Sequence, residues 1–205
     1  MKEIVLDLGC GENKMTGAIG VDLRPCRGVD LICRINEKLP FKDSSIDKIW
    51  CRHVLEHMED LEFVLMEFKR ILKDSGTIHI VVPHFSNSLA YSDYTHKRFF
   101  GYYTFDYFSF NKSRYWWVPT YVSAEKLFSI EQKRLVFRNL GIAGRLVERI
   151  VNRSEFAAYL YEAKFSWVVP CFEIYFCLSK RMVESSASGE DDTVPMKHGA
   201  ISGRP

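Results

Sequence analysis

Short apolar runs rich in β-branched residues recur through the first half of the chain, at 4–8, 18–22, 29–33 and 46–51. Each has the length and composition of a strand. A fifth runs from Thr77 to Val82 and stops at Pro83. Between the fourth and fifth, Leu61, Val64, Leu65, Phe68, Ile71 and Leu72 recur at helical spacing, with Asp60 placed as N-cap and Gly76 following the stop. Strands alternating with crossovers predict a parallel sheet wrapped by helices. Two more strands are predicted over 128–138 and 171–179.

Between those last two, an inserted segment over 140–166 carries two amphipathic stripes. The first is Ala143, Leu146, Val147, Ile150 and Val151; after a break at Asn152-Arg153-Ser154 the second is Phe156, Leu160 and Ala163. Arg145, Arg149 and Arg153 flank the first stripe. Such a helix can lie on a membrane surface, but packing on its own domain is the commoner outcome and is the expectation here.

The first crossover is short. Nine residues, Gly9 to Gly17, join strand one to strand two, fewer than the roughly 10 to 12 that a full crossover uses. Any helix there is a turn or two at most. Residues 84–117 hold 14 of the 29 aromatics, and they follow the fifth strand, where loops line the ligand crevice of a parallel sheet. A substrate-recognition lid is expected there, with many of its rings packed on one another.

At 205 residues the chain suits one domain, over 1–183, followed by a polar Ser- and Gly-rich tail at 184–205 that is expected to be disordered. A net charge of +2 without a basic stripe argues against nucleic acid. Six cysteines with no C-x-x-C pair point to a reducing, cytoplasmic setting. The chain enters a strand directly after Met1-Lys2-Glu3, so no signal peptide is expected, and no uncharged apolar run is long enough to span a membrane.

The chemistry starts at Ile4-Val5-Leu6-Asp7-Leu8-Gly9-Cys10-Gly11, where a buried strand runs into a glycine turn, and at Asp22, which ends the next strand. Glycines let backbone approach a ligand, and Asp22 can accept hydrogen bonds from two ribose hydroxyls, an arrangement that suits a nucleoside cofactor. A dinucleotide turn needs glycine at position 14, which is Lys14.

Leu6-Asp7-Leu8-Gly9-Cys10-Gly11, Gly20-Val21-Asp22, Leu39-Pro40-Phe41 and His53-Val54-Leu55-Glu56-His57 follow one another over residues 4–83. In these segments the chain resembles the class I S-adenosylmethionine (SAM)-dependent methyltransferases, in their small-molecule, type 11-like branch. The resemblance implies an α/β, Rossmann-like sheet of seven strands with an antiparallel edge hairpin. It also implies SAM as cofactor and methyl transfer to a small or medium-sized acceptor; the aromatic lid and its few cations favour an anionic or amphipathic one, such as a glycan- or lipid-linked molecule.

The same resemblance assigns the cofactor site. Gly9, Cys10 and Gly11 offer backbone to the amino-acid portion, Asp7 fixes the turn, Asp22 takes the ribose and Leu23 packs on adenine. With the crossover helix cut short, Lys14 is a candidate counter-charge for the cofactor carboxylate, or else a solvated loop lysine. Arg34 stands at or near the position where relatives often carry an acidic residue for the adenine amine, and arginine cannot accept a hydrogen bond. Asn36 and the Ile35 backbone are the replacements. Arg52, His53 and Leu55-Glu56-His57 resemble the motif beside the methyl donor.

Methyl transfer from a sulfonium is an in-line displacement in which positioning does most of the catalysis. A base is needed only where the nucleophile loses a proton. His53, His84 and His96 are the unranked candidates, with structural roles as the alternative for His53 and His57. His53 and His57 are four apart, but the residues between them read Val-Leu-Glu instead of the Glu-x-x of an H-E-x-x-H motif, so no metal is expected. Asp93-Tyr94-Thr95-His96-Lys97-Arg98 resembles an Asp-Pro-Thr-His-Lys-Arg segment of one bacterial and archaeal branch of the family, with Tyr94 in place of proline. Lys97 and Arg98 are candidate contacts for a substrate phosphate or carboxylate. The rival reading is a non-catalytic SAM-fold binding or scaffold protein, motivated by Arg34, the short crossover and the lack of helices before strand one. Nothing in the sequence points to a particular acceptor atom or oligomeric state.

Overall fold

The computed structural model describes residues 3–110, 126–138 and 141–180. The predicted tail at 184–205, residues 111–117 of the aromatic segment and residue 140 lie outside them.

Seven strands, β1 (Val5–Leu8), β2 (Ile19–Asp22), β3 (Leu31–Ile32), β4 (Ile46–Arg52), β5 (Leu72–Pro83), β6 (Ser129–Val136) and β7 (Glu173–Ser179), form one sheet in the order β3-β2-β1-β4-β5-β7-β6. The first five pair in parallel, and β7 runs antiparallel between β5 and β6. The strand order reverses between β1 and β4, and the crevice outside their carboxyl ends is where such sheets take ligands.

The helix predicted between β4 and β5 is α1 (Leu61–Ile71), and Asp60 caps it by accepting from the Phe63 N–H at 2.9 Å. Gly76 does not end it. The chain passes straight from Ile71 into β5, and Gly76 lies within that strand, where a Cβ would stand 2.7 Å from the Leu72 side chain. Leu61, Val64, Leu65, Phe68 and Ile71 face the sheet, whose inner residues are Leu6, Leu8, Ile49, Cys51, Ile78, Ile80, Ile174 and Phe176. The opposite sheet face is half-buried. There Trp50 stacks on His79 (ring centroids 4.3 Å), and His79 lies beside Tyr175. The expected wrapping by helices is therefore one-sided near β1, since the first crossover holds only turns.

Glu67, buried on α1, accepts from the Leu39 N–H (3.0 Å) and pairs with Arg70, whose guanidinium also donates to the carbonyls of Leu39 and Phe41. The Leu39-Pro40-Phe41 segment is thus tied to the helix by a charge-assisted network. Hydrogen bonds from Arg70 hold the Glu67 carboxyl below its ordinary pKa. That contribution is present above the unfolded pKa and is lost as pH falls through the lower folded value. Glu67→Gln is expected to cost about 1–3 kcal/mol at pH 7. In urea unfolding, the gap to the parent should narrow below pH 4; an equal gap at both pH values would contradict the ion pair.

The aromatic segment is not a separate subdomain in its described part. Phe100, Tyr102 and Phe105 are buried in the main core, and Phe105 meets Phe176 of β7 edge-on at 4.7 Å. A short helix, α2 (Ser88–Ser92), precedes them. The inserted helices are α3 (Gly141–Val151) and α4 (Glu155–Lys164). The break between them is real: Asn152 exchanges two 2.8 Å bonds with the Leu135 backbone, and Ser154 caps α4. The predicted stripes are kept only in part: Val147 and Val151 pack on the core, but Leu146, Ile150, Phe156 and Leu160 are exposed, while Gly144, Ala158 and Tyr161 are buried. All six cysteines are free. No described helix is long and apolar enough to cross a membrane.

Candidate active site

The glycine turn leaves β1 at Gly9, whose φ of +68° belongs to the left-handed region. Its N–H groups are all committed: those of Gly9 and Cys10 to the Val21 carbonyl, and that of Gly11 to Asp22 Oδ2 at 2.9 Å. The backbone that Gly9, Cys10 and Gly11 present to the cavity is therefore not that of free N–H groups. Asp7, 1% exposed, accepts from the Met15 N–H at 2.7 Å and so anchors the helix-free crossover. Asp22 ends β2 with its other oxygen accepting from the Arg24 N–H at 3.0 Å. No helix follows, so its position is not that of an N-cap. Each carboxylate oxygen retains a second lone pair for a ribose hydroxyl.

Lys14 is not the free counter-charge. Asp30 holds its ammonium at 2.9 Å, and Asp30 in turn accepts from the Gly20 N–H. The cation beside the turn is Arg52 at the end of β4, which donates to the Asn13 carbonyl (3.2 Å) and stands 3.7 Å from Asp7. On the adenine side, Leu23 and Asn36 are exposed and Ile35 is buried. Arg34 points to Glu37, 3.6 Å away.

His53 follows β4 with φ +53°, an unusual conformation for a non-glycine residue. This backbone turns the imidazole between two buried carboxylates, with Nδ1 3.4 Å from Glu56 and Nε2 3.3 Å from Glu173. Arg138 holds the other Glu173 oxygen at 2.7 Å. Glu173 first, and then Glu56, push the His53 pKa up to about 9. It therefore carries a proton at neutral pH and is not poised as a base, contrary to its candidacy. Imidazole titration by NMR is expected to report a value near 9 in the parent, falling toward the ordinary ~6.5 in Glu173→Gln. A parent value at 6.5 would contradict this arrangement. Stability from the cluster is present below the unfolded pKa and lost as pH rises through 9.

His53 lines two cavities. One, of about 420 Å³, lies over the glycine turn and is bounded by Gly9, Gly11, Asn13, Arg52, Arg138 and Glu173. The other, of about 600 Å³, lies between the end of β5 and the lid, bounded by Glu56, His57, Leu89, Asp93, Tyr94 and His96. A third cavity, about 880 Å³, is an arginine-lined groove between β6 and α3 that shares Arg138 with the first.

The remaining candidates divide. His84 is fully buried: its Nδ1 accepts from the Ser86 N–H (3.0 Å), and its Nε2 faces Glu162 (3.2 Å). It cannot reach a ligand in the crevice. Arg98 donates to the Met58 and Glu59 carbonyls, and Lys97 lies 4.0 Å from Glu59. Neither lines the cavity; Arg98 is corrected from a substrate contact to a clamp of the lid, while the Lys97 ammonium stays half-exposed. His96 does line it. So does His57, which does not share a helical face with His53, since only a 3-10 turn over Leu55–His57 forms there. Glu56, His57 and His96 come together with one ligand atom of each within 4.8 Å of the others. Arg138 and Glu173 were also missed by the sequence reading. The one available signal was a glutamate at the head of an otherwise apolar strand.

Residues 21–80 match the family model described as a methyltransferase domain. Over 91 residues the chain is 35% identical to an uncharacterized protein of Methanocaldococcus jannaschii, covering 38% of this chain and 40% of that one. The uncharacterized methyltransferase YcgJ of Bacillus subtilis is 28% identical over 104 residues, covering 40% and 41%. The YcgJ crystal structure superposes with a TM-score of 0.51 at 20% identity, over 89% and 93% of the two chains. A SAM-dependent methyltransferase from Archaeoglobus fulgidus superposes with a TM-score of 0.57 at 19% identity, over 87% and 86%. The match spans about two fifths of the length of these curated relatives. Sheet order and superpositions give the chain the Rossmann-like fold of SAM-dependent methyltransferases, and residues 21–80 carry its similarity to the methyltransferase-domain family.

Proposed function

We propose that this chain is an enzyme that transfers the methyl group of SAM to a small or medium-sized acceptor. The observation that carries the reading is His53 standing in the wall shared by the two cavities, one over the glycine turn and one under the lid. Bound SAM supplies a methyl group on a positively charged sulfur, open to attack along the line of the carbon–sulfur bond.

The residues present fit that group. Gly11 has nothing within 4 Å of where a Cβ would stand, leaving room over the turn. Arg52 and Arg138 are placed to meet the cofactor carboxylate, since the N–H groups of the turn are committed. Glu56 and Glu173, the buried carboxylates on either side of His53, place negative charge in the wall between the two cavities, on the side of a bound sulfonium. Asp22 is the residue for the ribose hydroxyls. On the acceptor side, His57 and His96 are the groups able to hold a polar atom or take its proton, while protonated His53 positions the two carboxylates. The cavity also offers Leu89 and Tyr94, which suits an amphipathic acceptor. Free cysteines are in keeping with a reducing compartment.

The test is incubation with methyl-tritiated SAM and a panel of amphiphiles bearing hydroxyl, carboxylate or phosphate groups. Label in one acceptor class, lost in Arg52→Met, supports the enzyme. Cofactor binding with no label in any class favours the non-catalytic reading, for which the helix-free crossover and exposed Arg34 speak.

A further inference from the structure

We infer that Glu56, His57 and His96 form a binding site for a divalent transition-metal ion of the zinc type, in the wall of the cavity beneath the lid. The argument begins with the tautomers. His96 Nδ1 lies 2.9 Å from the Ala90 carbonyl, which can only accept, so Nδ1 carries the hydrogen. His57 Nδ1 lies 3.0 Å from Thr95 Oγ1 and 3.4 Å from the Thr95 carbonyl. The Thr95 hydroxyl spends its own proton on Asp93 Oδ1 at 2.6 Å, so it too accepts from His57. These contacts fix the tautomer in which each ring keeps its lone pair on Nε2.

One ring nitrogen of each histidine and one carboxylate oxygen of Glu56 lie within 4.8 Å of one another. The two rings pack edge to face with centroids 4.8 Å apart. Glu56 is 1% exposed, and its Oε2 has no hydrogen-bond partner among the described residues. Two acceptor nitrogens and a buried, unpartnered carboxylate oxygen without a proton donor among them are what a cation would satisfy. Ring hydrogens spent on a carbonyl and a hydroxyl are the outer support that metal-bound histidines use. Two imidazoles with one carboxylate suit zinc or its neighbours better than magnesium or calcium, which prefer all-oxygen shells. Asp93, with Oδ2 3.7 Å from His96 Nε2, is a ready fourth ligand.

The lid is held in register for this. The N–H groups of Lys97 and Arg98 both donate to the Glu56 carbonyl, at 2.7 and 3.1 Å, and Arg98 clamps the Met58 carbonyl. The open side of the ion would face the acceptor cavity and hold an oxygen or nitrogen of the acceptor there. That last step rests on the methyl-transfer reading; metal binding does not.

The experiment is equilibrium dialysis of the full chain against Zn2+, and against Co2+ with its visible spectrum recorded, without cofactor or acceptor. Expected are one equivalent of metal bound with a micromolar or tighter Kd, and a cobalt spectrum without a thiolate charge-transfer band. His57→Ala and His96→Ala should each weaken binding by about 100-fold or more, at least the loss seen for supporting groups. Glu56→Gln, which keeps the shape, should weaken it as well. Should the alanine variants misfold, 15N shifts of the His57 and His96 Nε2 atoms in the zinc-loaded parent decide. No stoichiometric binding at 100 µM metal, unshifted Nε2 signals, a thiolate band, or binding that survives both histidine variants would each overturn the site. Metal bound with no affinity for S-adenosylhomocysteine would leave the metal site standing and sink the methyl-transfer reading instead.

Discussion

Gly9→Ala is expected to lower the unfolding free energy by about 2–4 kcal/mol and to abolish cofactor binding. Two independent penalties meet at this residue. Its φ of +68° is strained for any side chain, and the added Cβ would stand 2.1 Å from Cγ2 of Val54. Val54 is a core residue that cannot give way without disturbing the start of the His53–His57 segment. Overpacking of this kind costs about 1–3 kcal/mol, and the left-handed backbone adds about 1 more. Gly11 provides the contrast. It shares the positive φ, at +51°, but a Cβ there meets no atom within 4 Å. Gly11→Ala should therefore lose only about 1 kcal/mol of stability. Urea unfolding of the two variants separates the cases, and equal midpoints would contradict the packing at Gly9.

Asp22→Ala should weaken S-adenosylhomocysteine binding by about 100-fold or more. Two charge-assisted hydrogen bonds to ribose hydroxyls would be lost, at about 1.5–3 kcal/mol each, and every 1.4 kcal/mol is tenfold in affinity. The substitution also frees the Gly11 and Arg24 N–H groups, which Asp22 holds at 2.9 and 3.0 Å, so the turn loosens as well. Asp22→Asn retains one acceptor and the shape, and should fall by about tenfold. An unchanged Kd in Asp22→Ala would remove Asp22 from the site.

Much of the fold was legible because it rests on short-range regularities. The strands lie close to their apolar runs, and α1 lies on its periodic residues, with Asp60 as cap. Asp7 was readable as the residue that fixes the turn, and the short crossover as a place with little room for a helix. The misreadings share a different cause. Gly76 and the two insertion stripes were assigned from local pattern, and packing decided otherwise: Leu72 fills the space at Gly76, and α3 and α4 turn Leu146, Ile150, Phe156 and Leu160 outward.

The charged residues were harder still. Lys14, Lys97 and Arg98 carry the charge expected of them, but Asp30, Glu59 and the 58–59 carbonyls claim it. A sequence states which groups can pair, and only the fold states which pairs are near. For the same reason the site's newest members come from far along the chain. Arg138 and Glu173 reach the crevice because β7 inserts beside β5, and His96 reaches His57 because the lid folds back onto the Glu56 carbonyl.

The most direct test of the central claim is calorimetric titration of the unmodified chain with S-adenosylhomocysteine. The account predicts one site with a micromolar Kd, weakened in Arg52→Met. No heat of binding up to millimolar ligand, from protein shown to be folded, would contradict it.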